Sequence, residues 1–179
     1  NQKHISITQS RMAFNIVKEI AACSGKIYKL THESSTVKGA MALNLYVPAT
    51  KSNAKIPTIY YLSGLTCTPD NCTEKGFVQF QADKYGFAVV YPDTSPRNVA
   101  WPKDVEIDTS NWALGEGAGF YLNSDKFENF KMFDYICKEL PTSLSESDFG
   151  KTIDFTNKKS IMGHSMGGMG ALNFYLKGK

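Results

Sequence analysis

The chain has 179 residues, 42 % hydrophobic and 21 % charged, the balance of a globular protein long enough to bury a core. Its net charge is only +3 and its basic residues are spread along the chain, which excludes a basic stripe for nucleic acid. Its longest apolar runs, such as Ile59-Tyr60-Tyr61-Leu62, are far too short to span a bilayer.

Residues 1–18 contain no acid but include Lys3, Arg11 and Lys18, a pattern faintly like a mitochondrial presequence. The plainer reading is upstream sequence ahead of a start at Met12. Residues 1–16 are therefore read as an N-terminal extension, and 17–179 as the N-terminal part of a single domain. Both ends look cut. Ala13 to Ile20 and Lys26 to Thr31 read as short strands around a turn at Ser24-Gly25. Met41, Leu43, Leu45 and Val47 alternate, which predicts a half-buried strand ended by Pro48. Ile56 to Leu62 is nearly continuous in apolar character, as in a parallel strand covered on both faces. One helix is expected over Asp70 to Tyr85, stopped by Gly86, then a buried strand over Phe87 to Tyr91 broken by Pro92. Phe127 to Leu140 is amphipathic and predicts a helix ended by Pro141. A strand at 159–163 and a helix from Met169 to Leu176 complete the chain. Strands alternating with helices predict a mostly parallel sheet flanked by helices. Cys23, Cys67, Cys72 and Cys137 lack paired Cys-x-x-Cys spacing, so neither a zinc site nor a disulfide framework is indicated, and a reducing compartment is the simplest reading.

The chemistry concentrates in Gly163-His164-Ser165-Met166-Gly167-Gly168. Gly-x-Ser-x-Gly between a strand and a helix is the nucleophile elbow of α/β-hydrolases, a sharp turn that exposes a serine hydroxyl. Ser165 is the predicted nucleophile. It needs a base for its proton and donors for the oxyanion. The N–H of Met166, at a helix start, supplies one donor. The other is assigned to Leu65, in the glycine-containing loop Ser63-Gly64-Leu65-Thr66-Cys67 after the strand ending at Leu62. Cys67 would then lie near the site, although a small buried hydrophobe is the plainer reading. His164 adjoins the nucleophile, but neighbouring side chains on the elbow point apart, so it is read as a packing or hydrogen-bonding residue. His4 lies in the N-terminal tail and His32 in an expected loop, and nothing places either near Ser165. In this fold the acid and the base follow the serine. Only 14 residues follow Ser165, and none is Asp, Glu or His. Asp93 precedes the serine and reads as a turn residue that orders its loop. Gly115 to Tyr121 resembles a phosphate loop but lacks the Gly-Lys-Ser/Thr ending.

Four segments together resemble the S-formylglutathione hydrolase family, also called esterase D. They are Tyr61 to Thr68, Pro92-Asp93-Thr94-Ser95-Pro96-Arg97, Gly117-Ala118-Gly119-Phe120-Tyr121 and the elbow. Thr68 to Asn71 and Gln79 to Phe87 resemble yeast members in particular. The likeness runs from about Val17 to the last residue. It implies an α/β-hydrolase fold, truncated here after the elbow helix, and a serine thioesterase that releases glutathione and formate in formaldehyde detoxification. It further implies no metal or organic cofactor, a cytoplasmic homodimer when full length, and a small glutathione thioester as the partner, with neither nucleic acid nor membrane. Lys and Arg side chains on the loops are natural candidates for binding glutathione's charged ends. By the same resemblance, the triad Asp and His and a tryptophan-containing segment lie beyond Lys179, and about a third of the family's chain is missing. The family's Trp-Asp-Phe-Gly reads Trp112-Ala113-Leu114-Gly115 here, and Asn98 to Asn111 also departs from the usual pattern.

Two other readings remain open. A general carboxylesterase or acyltransferase of the same fold would carry the same elbow and loop, and would prefer aryl esters. A truncated, inactive product or interaction module would expose an apolar sheet edge and aggregate.

Overall fold

A computed structural model describes residues 14–50, 53–97, 99 and 115–177. Residues 1–13 of the presequence-like stretch 1–18, with His4 and the start at Met12, Asn98 to Asn111 (Val99 apart) and Trp112-Ala113-Leu114 lie outside the described residues. Six strands form one sheet: β1 (Asn15–Ala22), β2 (Gly25–Ser34), β3 (Gly39–Val47), β4 (Thr58–Leu62), β5 (Ala88–Pro92) and β6 (Lys159–Gly163). β1 begins at Asn15, so the expected division at residue 16 falls inside a strand. The order is β1-β2-β3-β5-β4-β6. Tight turns after β1 and β2 make the first pairings antiparallel, and β3 meets β5 antiparallel. The sheet is parallel only across β5-β4-β6, where helices make the crossovers, so it is mixed and not mostly parallel as expected.

Helices cover both faces. On one lie α1 (Pro69–Lys75) and α2 (Gln79–Tyr85), where Cys72 and Ala82 pack on Tyr46, Val89 and Tyr91. On the other lie α3 (Met132–Asp134), α4 (Leu140–Glu146) and α5 (Met166–Lys177), packed on Leu43, Leu45, Tyr60, Leu62 and Val90. β3 is therefore not half-buried as expected: Asn44 and Tyr46, on its second face, are buried as well. Asn44 donates to Asp70 Oδ1 at 2.8 Å and to Thr73 Oγ1 at 3.1 Å, which pins α1 to the sheet.

Three local expectations are corrected. The single helix over 70–85 is two helices. Thr68 and Asn71 form a capping box for α1, which ends at Lys75 before Phe77, a residue with φ of +53°. α2 then starts afresh at Gln79 and ends on Gly86 in the left-handed region, as expected for a C-cap. Second, Pro141 does not end its helix, which begins at Met132 and runs through to Glu146. A π-helical segment, Tyr135–Glu139, precedes the proline, and the Leu140 N–H reaches back five residues to the Tyr135 carbonyl. Widening the turn accommodates a residue that brings no N–H and would crowd a regular helix. Third, His32 is not in a loop but buried in β2, with Nε2 2.8 Å from the Tyr135 hydroxyl.

The π segment carries a buried polar cluster. Glu139 accepts from Ser34 Oγ, from Ser35 N–H at 2.7 Å and Oγ at 2.8 Å, and from Thr36 N–H at 3.1 Å. Burial alone would raise its pKa, but these hydrogen bonds outweigh it and hold the carboxyl below its ordinary range. Burial lowers the pKa of His32 below 6.5, against the opposing pull of Glu139 and Glu33. A neutral His32 thus contributes stability above pH 6.5, lost as pH falls through 6.5 toward its lower folded value. The urea midpoint of the wild type is expected to drop more steeply than that of His32→Gln between about pH 7.5 and pH 5.5. Parallel slopes would remove His32 from the acid response.

β6 is an edge strand of the described sheet, with no partner on its far side. Next to it α5 exposes Leu172 at 66 %, Tyr175 at 62 % and Leu176 at 69 %. An apolar cleft of about 850 Å³ runs between α5, β6 and the π segment, lined by Ile136, Cys137, Pro141, Ile161, Leu172 and Tyr175. An open edge beside an apolar face favours self-association. Residues 1–179 alone are expected to sediment as species larger than a monomer; a monodisperse monomer would contradict this.

Candidate active site

The site forms where β4 and β6, paired in parallel from Thr58 to Leu62, release their C-terminal loops side by side. Such carboxyl ends are where open α/β sheets bind ligands. β6 ends at Gly163, α5 begins at Met166, and Ser165 turns the corner with φ of +53°. That value costs a non-glycine residue about 1–2 kcal/mol. The turn is held by its neighbours: Gly167 N–H donates to the His164 carbonyl at 2.9 Å, and His164 N–H to the Leu62 carbonyl at 3.3 Å. A Cβ on Gly167 would lie 2.1 Å from the Leu62 oxygen, and one on Gly163 2.3 Å from the Gly167 oxygen. Only glycine lets α5 approach β4 this closely.

Ser165 is exposed, and its hydroxyl makes no hydrogen bond among the described residues. Met166 is buried at the first position of α5, and its N–H has no acceptor among the described residues. The loop holding Leu65 lies against the elbow: a Cβ at Gly64 would be 3.0 Å from His164 Nε2 and 3.3 Å from Ser165 Cβ. The Leu65 N–H likewise has no acceptor among the described residues. The structure thus brings Leu65, His164, Ser165 and Met166 together. His164 sets Nδ1 3.7 Å from the Cys72 thiol and stands edge-on to Tyr61. Cys72, not singled out in the sequence, is thus a second cysteine close to the elbow, its pKa raised by burial. Cys67 is half-buried and holds the loop through its carbonyl.

Two further loops brace the first. Asp93 accepts from Arg97 Nε at 2.8 Å and Nη2 at 3.0 Å, and from the Thr94 N–H at 2.7 Å, so it orders its loop. Ser95 Oγ accepts from Gly117 N–H at 2.7 Å, and the Gly117 carbonyl from Thr66 N–H at 2.9 Å. Tyr121, fully buried, donates to the Ser63 carbonyl at 3.0 Å and packs under Gly170 of α5. The segment 115–121 is thus a buttress. Phe120 and Tyr121 both have positive φ, like Thr66 and Ser165 beside them, and such strain gathers at functional sites. The role of Tyr121 carried no signal beyond its place in one of the four segments that carry the family resemblance.

A strained serine between a parallel strand and a helix, in a sheet covered on both faces, defines an α/β-hydrolase fold. Residues 34–179 match the Esterase family model, described as "Putative esterase", and the chain belongs to that family. It is 49 % identical over 176 residues to the S-formylglutathione hydrolase of Saccharomyces cerevisiae, covering 91 % of this chain and 58 % of that protein. Identity to the S-formylglutathione hydrolase of Arabidopsis thaliana is 46 % over 155 residues, covering 85 % and 51 %. An S-formylglutathione hydrolase from Agrobacterium tumefaciens superposes with a TM-score of 0.77 at 38 % identity, over 91 % of this chain and 57 % of the other. The chain thus spans somewhat over half the length of the relatives it matches. No helix among the described residues is long and apolar enough to cross a membrane.

Proposed function

We propose that the full-length protein is a serine thioesterase that hydrolyses S-formylglutathione to glutathione and formate. The packing of the Gly64-Leu65 loop against the Ser165 elbow supports acyl transfer, because the amides of Leu65 and Met166 have no acceptor among the described residues and belong to the two segments that meet at the exposed Ser165. The 49 % identity supports the substrate. In this reading Ser165 Oγ adds to the formyl carbon, and the charge on the former carbonyl oxygen is held by the N–H groups of Leu65 and Met166. Collapse breaks the C–S bond, and glutathione leaves with the serine's proton. Water then attacks the formyl ester, releases formate and restores Ser165. The family resemblance implies a histidine and a carboxylate as the groups that would move the protons. The protein would act as a cytoplasmic homodimer in formaldehyde detoxification, with residues 17–179 as part of one domain.

The full-length protein is expected to show kcat/KM for S-formylglutathione at least about tenfold above that for p-nitrophenyl acetate. A preference for the aryl ester would favour a general carboxylesterase.

A further inference from the structure

The turn carrying Leu65 has an unfavourable sequence for its shape. Gly64 accepts from the Cys67 N–H at 3.3 Å, which closes a four-residue turn with Thr66 at φ of +66°. Glycine or asparagine is favoured there, and a β-branched residue is an outlier. Such a conformation persists only when surrounding structure enforces it. The enforcement is visible. The Cys67 carbonyl accepts from Thr94 Oγ1 at 2.5 Å and from Arg97 Nη2 at 3.1 Å. Arg97 is itself fixed by a two-pronged pair with the buried Asp93. Thr66 N–H is tied to Gly117. A lysine at position 97 would keep the charge but lose the fork that reaches Asp93 and Cys67 together.

We propose that Asp93 and Arg97 are positioning residues for acyl transfer: their clamp on the Cys67 carbonyl holds the strained Thr66 turn so that the Leu65 N–H faces the Ser165 hydroxyl. Neither touches the reacting atoms. The clamp acts on charge developing in the transition state, not on substrate binding. This inference rests on the acyl-transfer reading of the site.

The test is steady-state kinetics of the full-length protein on both S-formylglutathione and p-nitrophenyl acetate. Arg97→Lys is expected to lower kcat about 10- to 100-fold on both substrates, approaching the loss of one oxyanion donor, with KM changed less than about threefold. Adding Thr66→Gly should restore most of the lost kcat, because glycine holds a positive φ without the clamp. Should Arg97→Lys fail to fold, Thr94→Val removes the other donor to the same carbonyl and is expected to cost about tenfold in kcat, again restored by Thr66→Gly. Wild-type kcat in the clamp variant, or a loss that Thr66→Gly does not restore, would overturn the proposal. A wild type active only on the aryl ester would sink the glutathione reading and leave the clamp to be read on that ester. A wild type silent on both would overturn both.

Discussion

Ser165→Ala is expected to abolish turnover by the full-length protein, lowering kcat by about four to six orders of magnitude, while leaving its stability unchanged. The hydroxyl is exposed and unpartnered among the described residues, so removing it breaks no hydrogen bond seen there. The strain at φ of +53° lies in the backbone and the Cβ, which alanine keeps. Ser165→Gly separates the two effects. It should be equally inactive, yet more stable than the alanine variant by about 0.5–1 kcal/mol, because glycine relieves the left-handed strain at some cost in unfolded-state entropy. The measurements are initial rates and urea midpoints of both variants. Residual activity in Ser165→Ala above about 1 % of wild type would remove the serine from the chemistry.

Gly167→Ala is the second large effect, and here the loss is structural. The added methyl would stand 2.1 Å from the Leu62 oxygen, 2.5 Å from its carbonyl carbon and 2.6 Å from the Ser63 oxygen. All three are backbone atoms of a buried strand end and its loop, so no side chain can turn away. The helix must lift from β4, and the expected destabilisation is about 3 kcal/mol or more. Gly168→Ala, one residue on, is the internal control. Its methyl would meet nothing closer than 3.4 Å, so the usual helix preference for alanine should stabilise by about 0.5–1 kcal/mol. Equal effects of the two substitutions would contradict the close packing of α5 on β4.

Much of this was legible in the chain. The buried strands β3, β4 and β5 were visible in their alternation or apolar runs, because burial on a pleated surface requires it, whereas β6 was placed by its position before the elbow. The elbow was visible because Gly-x-Ser-x-Gly encodes steric room on both sides of a strained residue. The Leu65 loop could be placed from the buried strand ahead of it. Local signals misled where tertiary contacts overrode them. The periodicity of 70–85 ignored Phe77, whose left-handed backbone divides the segment. Pro141 is a sound stop signal, but a π turn absorbed it while the helix stayed packed on the sheet. His32 gave no sign of its partner, because Tyr135 is 103 residues away.

The sequence by itself marked the six strands, the elbow serine and glycine loop expected to serve acyl transfer, and the likeness to S-formylglutathione hydrolases. Those rest on local spacing and residue chemistry, which are written in order along the chain. Only the tertiary structure decided that Cys72 rather than Cys67 lies against His164. It alone showed that Tyr121 props the Ser63 carbonyl, and that Arg97, paired with Asp93, donates to the Cys67 carbonyl across 30 residues of chain. Such contacts join segments far apart in sequence, and their partners are chosen by how the sheet brings its loop ends together, not by any pattern within one segment.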